Sequence, residues 1–152
     1  MKTLELIKTG SNLLKEKNIS SFILDSELLL SKTLNKSREE ILINLEKKIN
    51  KKDINIFKEY LIRRSKSEPM AYILGEKEFW SKKFKVNEHT LIPRPETELL
   101  VEELSKVYNN KKISILDVGT GSGCIIISLI SHLNGSFGIG IDISKNAISL
   151  AK

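Results

Sequence analysis

The sequence predicts an α + α/β protein. A small N-terminal helical bundle spans residues 1–67, a β-hairpin linker 68–92, and the opening of an α/β domain on a parallel sheet 93–152. Three observations predict this. From Met1 to about Ser65, apolar residues recur at helical spacing with turn signals between them. Between Glu68 and Ile92 the texture changes to short apolar-aromatic pieces punctuated by Pro69 and Gly75. From Ile113 to Val118 a run dominated by Ile, Leu and Val leads without a break into the glycine turn Gly119-Thr120-Gly121-Ser122-Gly123, as in a parallel strand buried on both faces.

In the first part, Leu4, Ile7 and Leu14 mark one face of a helix that Gly10 is expected to interrupt and that closes near Asn18. Ser20-Ser21 can cap a second helix with Leu24, Leu28 and Leu29 inward. Ser37-Arg38-Glu39-Glu40 is a capping box, in which hydroxyl and carboxylate satisfy each other's free backbone N–H groups. It opens a helix expected to align Ile41, Leu42, Leu45 and Ile49. A fourth helix, from about Lys52, carries Ile54, Phe57 and Leu61. Four such amphipathic helices make a bundle suited to binding or positioning.

In the linker, Glu78-Phe79-Trp80 and Phe84-Lys85-Val86 flank Ser81-Lys82-Lys83, which reads as a β-hairpin with Trp80 in a strand. Pro93-Arg94-Pro95 then forces a stiff extended segment, with Pro95 at the first position of a helix that carries Leu100, Val101, Leu104 and Tyr108. Glu96 and Glu98 suit the positive end of that helix.

The glycine turn carries the chemistry. Glycines 119, 121 and 123 can reach positive φ and bare their backbone to a ligand at the start of an apolar helix. Nineteen residues after Gly123, the strand Gly138-Ile139-Gly140-Ile141 ends in Asp142, where an acid can accept hydrogen bonds from ribose hydroxyls. A dinucleotide fingerprint wants G-x-G-x-x-G, but the spacing here is G-x-G-x-G, with Cys124 where the third glycine would stand. Asp117, two residues before the first glycine, repels a pyrophosphate and favours a cofactor bearing an amino group. The plain alternative is a turn that only joins a strand to a helix.

Composition excludes several classes. No apolar run approaches a membrane span, and the first residues lack a signal peptide's apolar core, so a soluble, cytoplasmic protein is expected. The single cysteine, Cys124, rules out an internal disulfide or a Cys-rich zinc site, and no metal site is expected. Charge is unevenly shared. Residues 1–92 hold 19 Lys or Arg against 13 Asp or Glu, while 93–152 hold 6 of each. The basic first part suits an acidic protein or a nucleic acid, or is a lysine-rich solvated surface, since 21 of the 25 basic residues are Lys.

Ile92-Pro93-Arg94-Pro95-Glu96-Thr97-Glu98, Ile115 to Cys124 (I-L-D-V-G-T-G-S-G-C) and Gly140 to Ser144 (G-I-D-I-S) together resemble the N(5)-glutamine methyltransferases that modify peptide chain release factors. Glu68 to Gly75 and Glu78-Phe79-Trp80 resemble that family's linker, and the helical start its N-terminal domain. The resemblance implies a Rossmann-like class I fold that binds S-adenosyl-L-methionine. Gly119, Thr120, Gly121, Ser122 and Gly123 would line the cofactor, with Asp117 near its methionine end and Asp142 on its ribose. Pro93, Arg94, Pro95, Glu96 and Thr97 would lie along it and help close the pocket. The helical part would help hold the release factor, whose Gly-Gly-Gln glutamine accepts the methyl group. No membrane is implied, and nucleic acid only indirectly, through the ribosome.

The family's catalytic signature, Asn-Pro-Pro-Tyr, is absent: the prolines are Pro69, Pro93 and Pro95, and none follows an Asn. No catalytic residue is therefore assigned in this chain. An amide nitrogen delocalises its lone pair into the carbonyl and attacks poorly unless a site orients it and accepts its hydrogens. Two strands of an expected seven are present, and the helix opened by Ser144 is expected to run to Lys152 without a cap, so a truncated methyltransferase domain is expected. A DNA or RNA adenine-N6 methyltransferase and a non-catalytic binding module are the alternatives.

Overall fold

The computed structural model describes residues 1–151. The chain divides into two compact units, Met1–Leu74 and a second that begins at Gly75.

The first unit is helical: α1 (Thr3–Glu16), α2 (Phe22–Leu34), α3 (Arg38–Leu42), α4 (Lys51–Ser65) and α5 (Met70–Leu74). Its core gathers Leu6, Leu14, Leu29, Leu30, Phe57, Leu61 and Ile73. Gly10 does not interrupt α1. It lies buried where three helices converge, and an added Cβ would stand 2.5 Å from Ser26 Oγ and 2.9 Å from Phe57 Cζ. The missing side chain is a packing device that lets α2 and α4 approach α1, worth more than the helix propensity it sacrifices.

Two other expectations change. Leu24 points outward at 44 % exposure, and Asp25, Ser26, Leu29 and Leu30 are among the residues that α2 buries. Two of those are polar because each finds a partner: Arg64 Nε donates to Asp25 Oδ2 at 2.7 Å, and Ser26 Oγ donates to the Ile7 carbonyl at 3.0 Å. The capping box forms as read, with Glu40 N donating to Ser37 Oγ at 3.1 Å and Ser37 N to Glu40 Oε2 at 2.9 Å. Yet α3 ends at Leu42, and Ile49 reaches the core from an extended segment whose N–H donates to the Met1 carbonyl at 3.0 Å. Asn50, overlooked in the sequence, caps α4 by accepting from Asp53 N at 2.9 Å.

The second unit opens on a hairpin, β1 (Glu76–Phe79) and β2 (Lys82–Lys85), antiparallel with Phe79 opposite Lys82. The turn is therefore Trp80-Ser81, not Ser81 to Lys83, and Trp80 is a turn residue. Trp80 and Ser81 take φ of 50° and 56°, the left-handed pair that matches strand twist and that most side chains resist. Glu98 Oε1 supports the turn by accepting from Trp80 N at 2.9 Å. Pro95–Thr97 forms one 3₁₀ turn that leads into α6 (Glu98–Val107), with Pro95 at its first position.

Next come β3 (Ser114–Val118), α7 (Cys124–His132), β4 (Phe137–Ile141) and α8 (Lys145–Ala151). Strands β3 and β4 are parallel, with Asp117 opposite Gly140, so β3-α7-β4 is a crossover unit. One face of this pair packs against helices around Val101, Cys124, Leu129 and Leu133. The other is not covered: Leu116 is 63 % and Val118 73 % exposed. Burial on both faces was expected from the apolar run alone, which does not say how many layers are present. Ser144 Oγ caps α8 by accepting from Ala147 N at 3.1 Å. The expected continuation of that helix to Lys152 lies outside the described residues.

Candidate functional site

The site lies where β3 and β4 end side by side. Gly119, Gly121 and Gly123 all have positive φ, at 81°, 55° and 76°. Their surroundings differ. A Cβ at Gly119 would meet nothing within 4 Å, and one at Gly121 only the Gly119 carbonyl, at 4.0 Å. A Cβ at Gly123 would stand 2.9 Å from Ile127 Cδ1. The first two glycines open onto free space, while the third makes room for the next turn of α7.

Three successive amides of the turn point to the end of β4. Gly119 N and Thr120 N donate to the Ile141 carbonyl at 2.8 and 3.0 Å, and Gly121 N donates to Asp142 Oδ2 at 2.8 Å. Asp142 Oδ1 accepts from Ser144 N at 2.9 Å. Asp117 Oδ2 accepts from Thr120 Oγ1 at 2.8 Å. Thr120 fits there because Gly140 leaves a notch: a Cβ on Gly140 would lie 2.8 Å from Thr120 Oγ1. Thr120 and Ser122 are buried. Asp117, Asp142 and residues 119–123 thus form one constellation.

Pro93, Arg94, Glu96 and Thr97 sit at the start of α6, with Pro93 buried and Arg94 and Glu96 exposed. Thr97 N donates to the Arg94 carbonyl at 3.0 Å, which closes the 3₁₀ turn. Among the described residues, no hydrogen bond or ion pair joins this segment to the glycine turn. Sequence reasoning placed Gly140 in the second strand and Ser144 at the start of a helix, but gave neither a place in this site. The Asp-Ile-Ser order does carry a signal for Ser144, since an Asp side chain commonly accepts from the N–H two residues on.

Electrostatics follow from these bonds. The N–H groups of Ser144 and then Gly121 hold the Asp142 carboxyl below its ordinary value of 3.8. Since the folded value is the lower one, the two bonds contribute fully above the unfolded value and are lost as pH falls through the folded value. The turn is expected to be unchanged from about pH 5 to 8 and released only in stronger acid. NMR titration of the Asp142 carboxyl carbon reads this, and a midpoint above the ordinary value would overturn it. Burial pushes the Cys124 thiol up, so it packs as an apolar residue at neutral pH.

A model of the PrmC N-terminal domain matches residues 5–75. The chain is 42 % identical over 151 residues to the release factor glutamine methyltransferase of Leptospira interrogans, across 97 % of its own length and 52 % of that protein. Over these spans it matches the release factor glutamine methyltransferase family. The relative in this family from Buchnera aphidicola is 44 % identical over 128 residues, covering 84 % of this chain and 46 % of that one. A bifunctional methyltransferase from Rickettsia conorii is 38 % identical over 173 residues, covering 97 % and 33 %. The chain therefore spans about half the length of the release factor glutamine methyltransferases it matches and a third of the bifunctional protein. The match to the N-terminal domain model, residues 5–75, ends at Gly75, the first residue of the second unit.

Proposed function

We propose that this chain supplies the recognition unit and part of the cofactor site of an S-adenosyl-L-methionine-dependent methyltransferase. Its acceptor would be the side-chain amide nitrogen of the glutamine in the Gly-Gly-Gln motif of peptide chain release factors. The observation that supports it best is the glycine turn of a chain that matches this family, open to free space at Gly119 and Gly121 and bordered by the carboxylate of Asp142.

The residues fit the cofactor. Bare main chain at Gly119 and Gly121 leaves room for close approach, and each Asp142 oxygen keeps a lone pair for a sugar hydroxyl after accepting one N–H. Thr120, Ser122, Gly123 and Asp117 would complete the wall. Pro93, Arg94, Glu96 and Thr97 would close the pocket from the start of α6. When bound, S-adenosyl-L-methionine supplies an electrophilic methyl group. What this chain's own residues do is bind and orient: the turn shapes the pocket, and Asp142 accepts hydroxyl donors. No residue here is assigned to the transfer itself. The whole domain would have a Rossmann-like class I fold, and its setting would be the cytoplasm, in keeping with the lack of any helix long and apolar enough to cross a membrane among the described residues.

The test is transfer of radiolabelled methyl from S-adenosyl-L-methionine to a release factor by the longer protein that carries this chain. Label on the Gly-Gly-Gln glutamine is expected. Label on DNA or RNA instead would replace this reading with the adenine-N6 alternative. The surplus of basic residues confined to 1–92 favours one second reading, a non-catalytic module that engages an acidic protein or ribosomal RNA. Calorimetry of this chain with each partner separates the two, because RNA binding weakens steeply with salt.

A further inference from the structure

Positive φ at Gly119 and Gly121 aims the N–H groups of residues 119–121 in one direction. Successive amides so aligned form a concavity that attracts anions, and in many proteins it receives a phosphate. Here the concavity is already filled from within. The Ile141 carbonyl takes the first two N–H groups, and the Asp142 carboxylate takes the third at 2.8 Å. Asp142 is held in place from behind by Ser144 N, and Thr120 is fixed beside it by the Asp117 carboxylate and the Gly140 notch.

We propose that Asp142 is a positioning and specificity residue: an internal anion that occupies the amide concavity, latches the glycine turn in its open-faced shape and keeps phosphate-bearing ligands out. The ribose contact is a separate role that rests on the cofactor reading above. The latch does not, because it is complete without any ligand. Its chemistry explains how a glycine turn after a parallel strand, elsewhere a phosphate cradle, can serve an uncharged or cationic ligand instead. A pyrophosphate would have to displace the Asp142 carboxylate from the third N–H group and the Ile141 carbonyl from the other two, and lie beside a second carboxylate, Asp117.

The test uses this chain without S-adenosyl-L-methionine. Amide hydrogen exchange of Gly121 is measured by NMR in the wild type and in Asp142→Ala, and each is titrated with inorganic pyrophosphate. The Gly121 amide is expected to exchange at least about tenfold faster in Asp142→Ala, as loss of a hydrogen bond to a charged acceptor dictates. Pyrophosphate is expected to shift the amides of 119–123 in the variant and leave those of the wild type in place. Asp142→Asn, which keeps one acceptor oxygen and the residue's shape, should exchange at an intermediate rate and guards against a variant that fails to fold.

Equal Gly121 exchange in wild type and variants would overturn the latch, and a variant as indifferent to pyrophosphate as the wild type would overturn the exclusion. A wild type with a protected Gly121 amide that takes up no S-adenosyl-L-methionine would sink the cofactor reading and leave this one standing.

Discussion

In Gly121→Val, S-adenosyl-L-methionine affinity is expected to fall by about tenfold to a hundredfold while the second unit stays folded. A Cβ at this position would meet, its chain neighbours aside, nothing of the protein closer than the Gly119 carbonyl, at 4.0 Å. What its branches would fill is the space proposed for the cofactor, and a forced overlap of that kind costs about 1–3 kcal/mol. The protein's own cost is the left-handed backbone at φ of 55°, about 1–2 kcal/mol for a residue with a Cβ. Calorimetry for the dissociation constant and a thermal melt on the same sample separate the two effects. A variant that binds as tightly as the wild type would make the turn a connector only.

Arg64→Met is expected to lower the stability of the first unit by about 3 kcal/mol. Arg64 Nε lies 2.7 Å from Asp25 Oδ2, with side chains 16 % and 5 % exposed, and Arg64 Nη1 also donates to the Glu68 carbonyl at 3.0 Å. Removing the guanidinium leaves a carboxylate inside the bundle, and the hydrogen bond it accepts from the Ser21 hydroxyl, 2.8 Å away, does not offset the hydration it has lost. Replacing both partners, as Asp25→Leu with Arg64→Met, is expected to recover most of the loss, because no uncompensated charge remains. Urea denaturation of the three proteins measures this. A single variant within about 0.5 kcal/mol of the wild type would show that water reaches Asp25 freely.

These two positions also show what a sequence can reveal. The glycine turn was legible because its chemistry is local: three residues without side chains, an acid before them and an acid one crossover later. The parallel pairing of β3 and β4 follows from that order. What the acid after β4 does was not legible. Whether Asp142 also bonds the turn's own amide depends on where two loops meet, and the structure shows that bond beside the ribose contact the sequence leads one to expect.

In the helical unit, the capping box announced the start of α3 because a cap is made by neighbours. Its end was missed because the chain there is tied to Met1, far away in sequence. Gly10 and Leu24 were misread for the same reason: spacing describes one helix, whereas the inward face is chosen by the helices that pack against it. Trp80 resembled a strand residue by propensity, and a turn backed by Glu98 overrode that preference.

Strand β4 alternates residues with and without side chains, and Gly138 and Gly140 share its inward face. A Cβ on Gly138 would lie 2.8 Å from Ile126, and one on Gly140 the same distance from Thr120. The two sides of this strand therefore differ in mutational tolerance. On the outward side, Phe137, Ile139 and Ile141 can drift among apolar residues without touching the turn. On the inward side a single added methyl group lifts α7 or the turn itself, so neutral variation in this lineage should pass through one face of the strand and stop at the other.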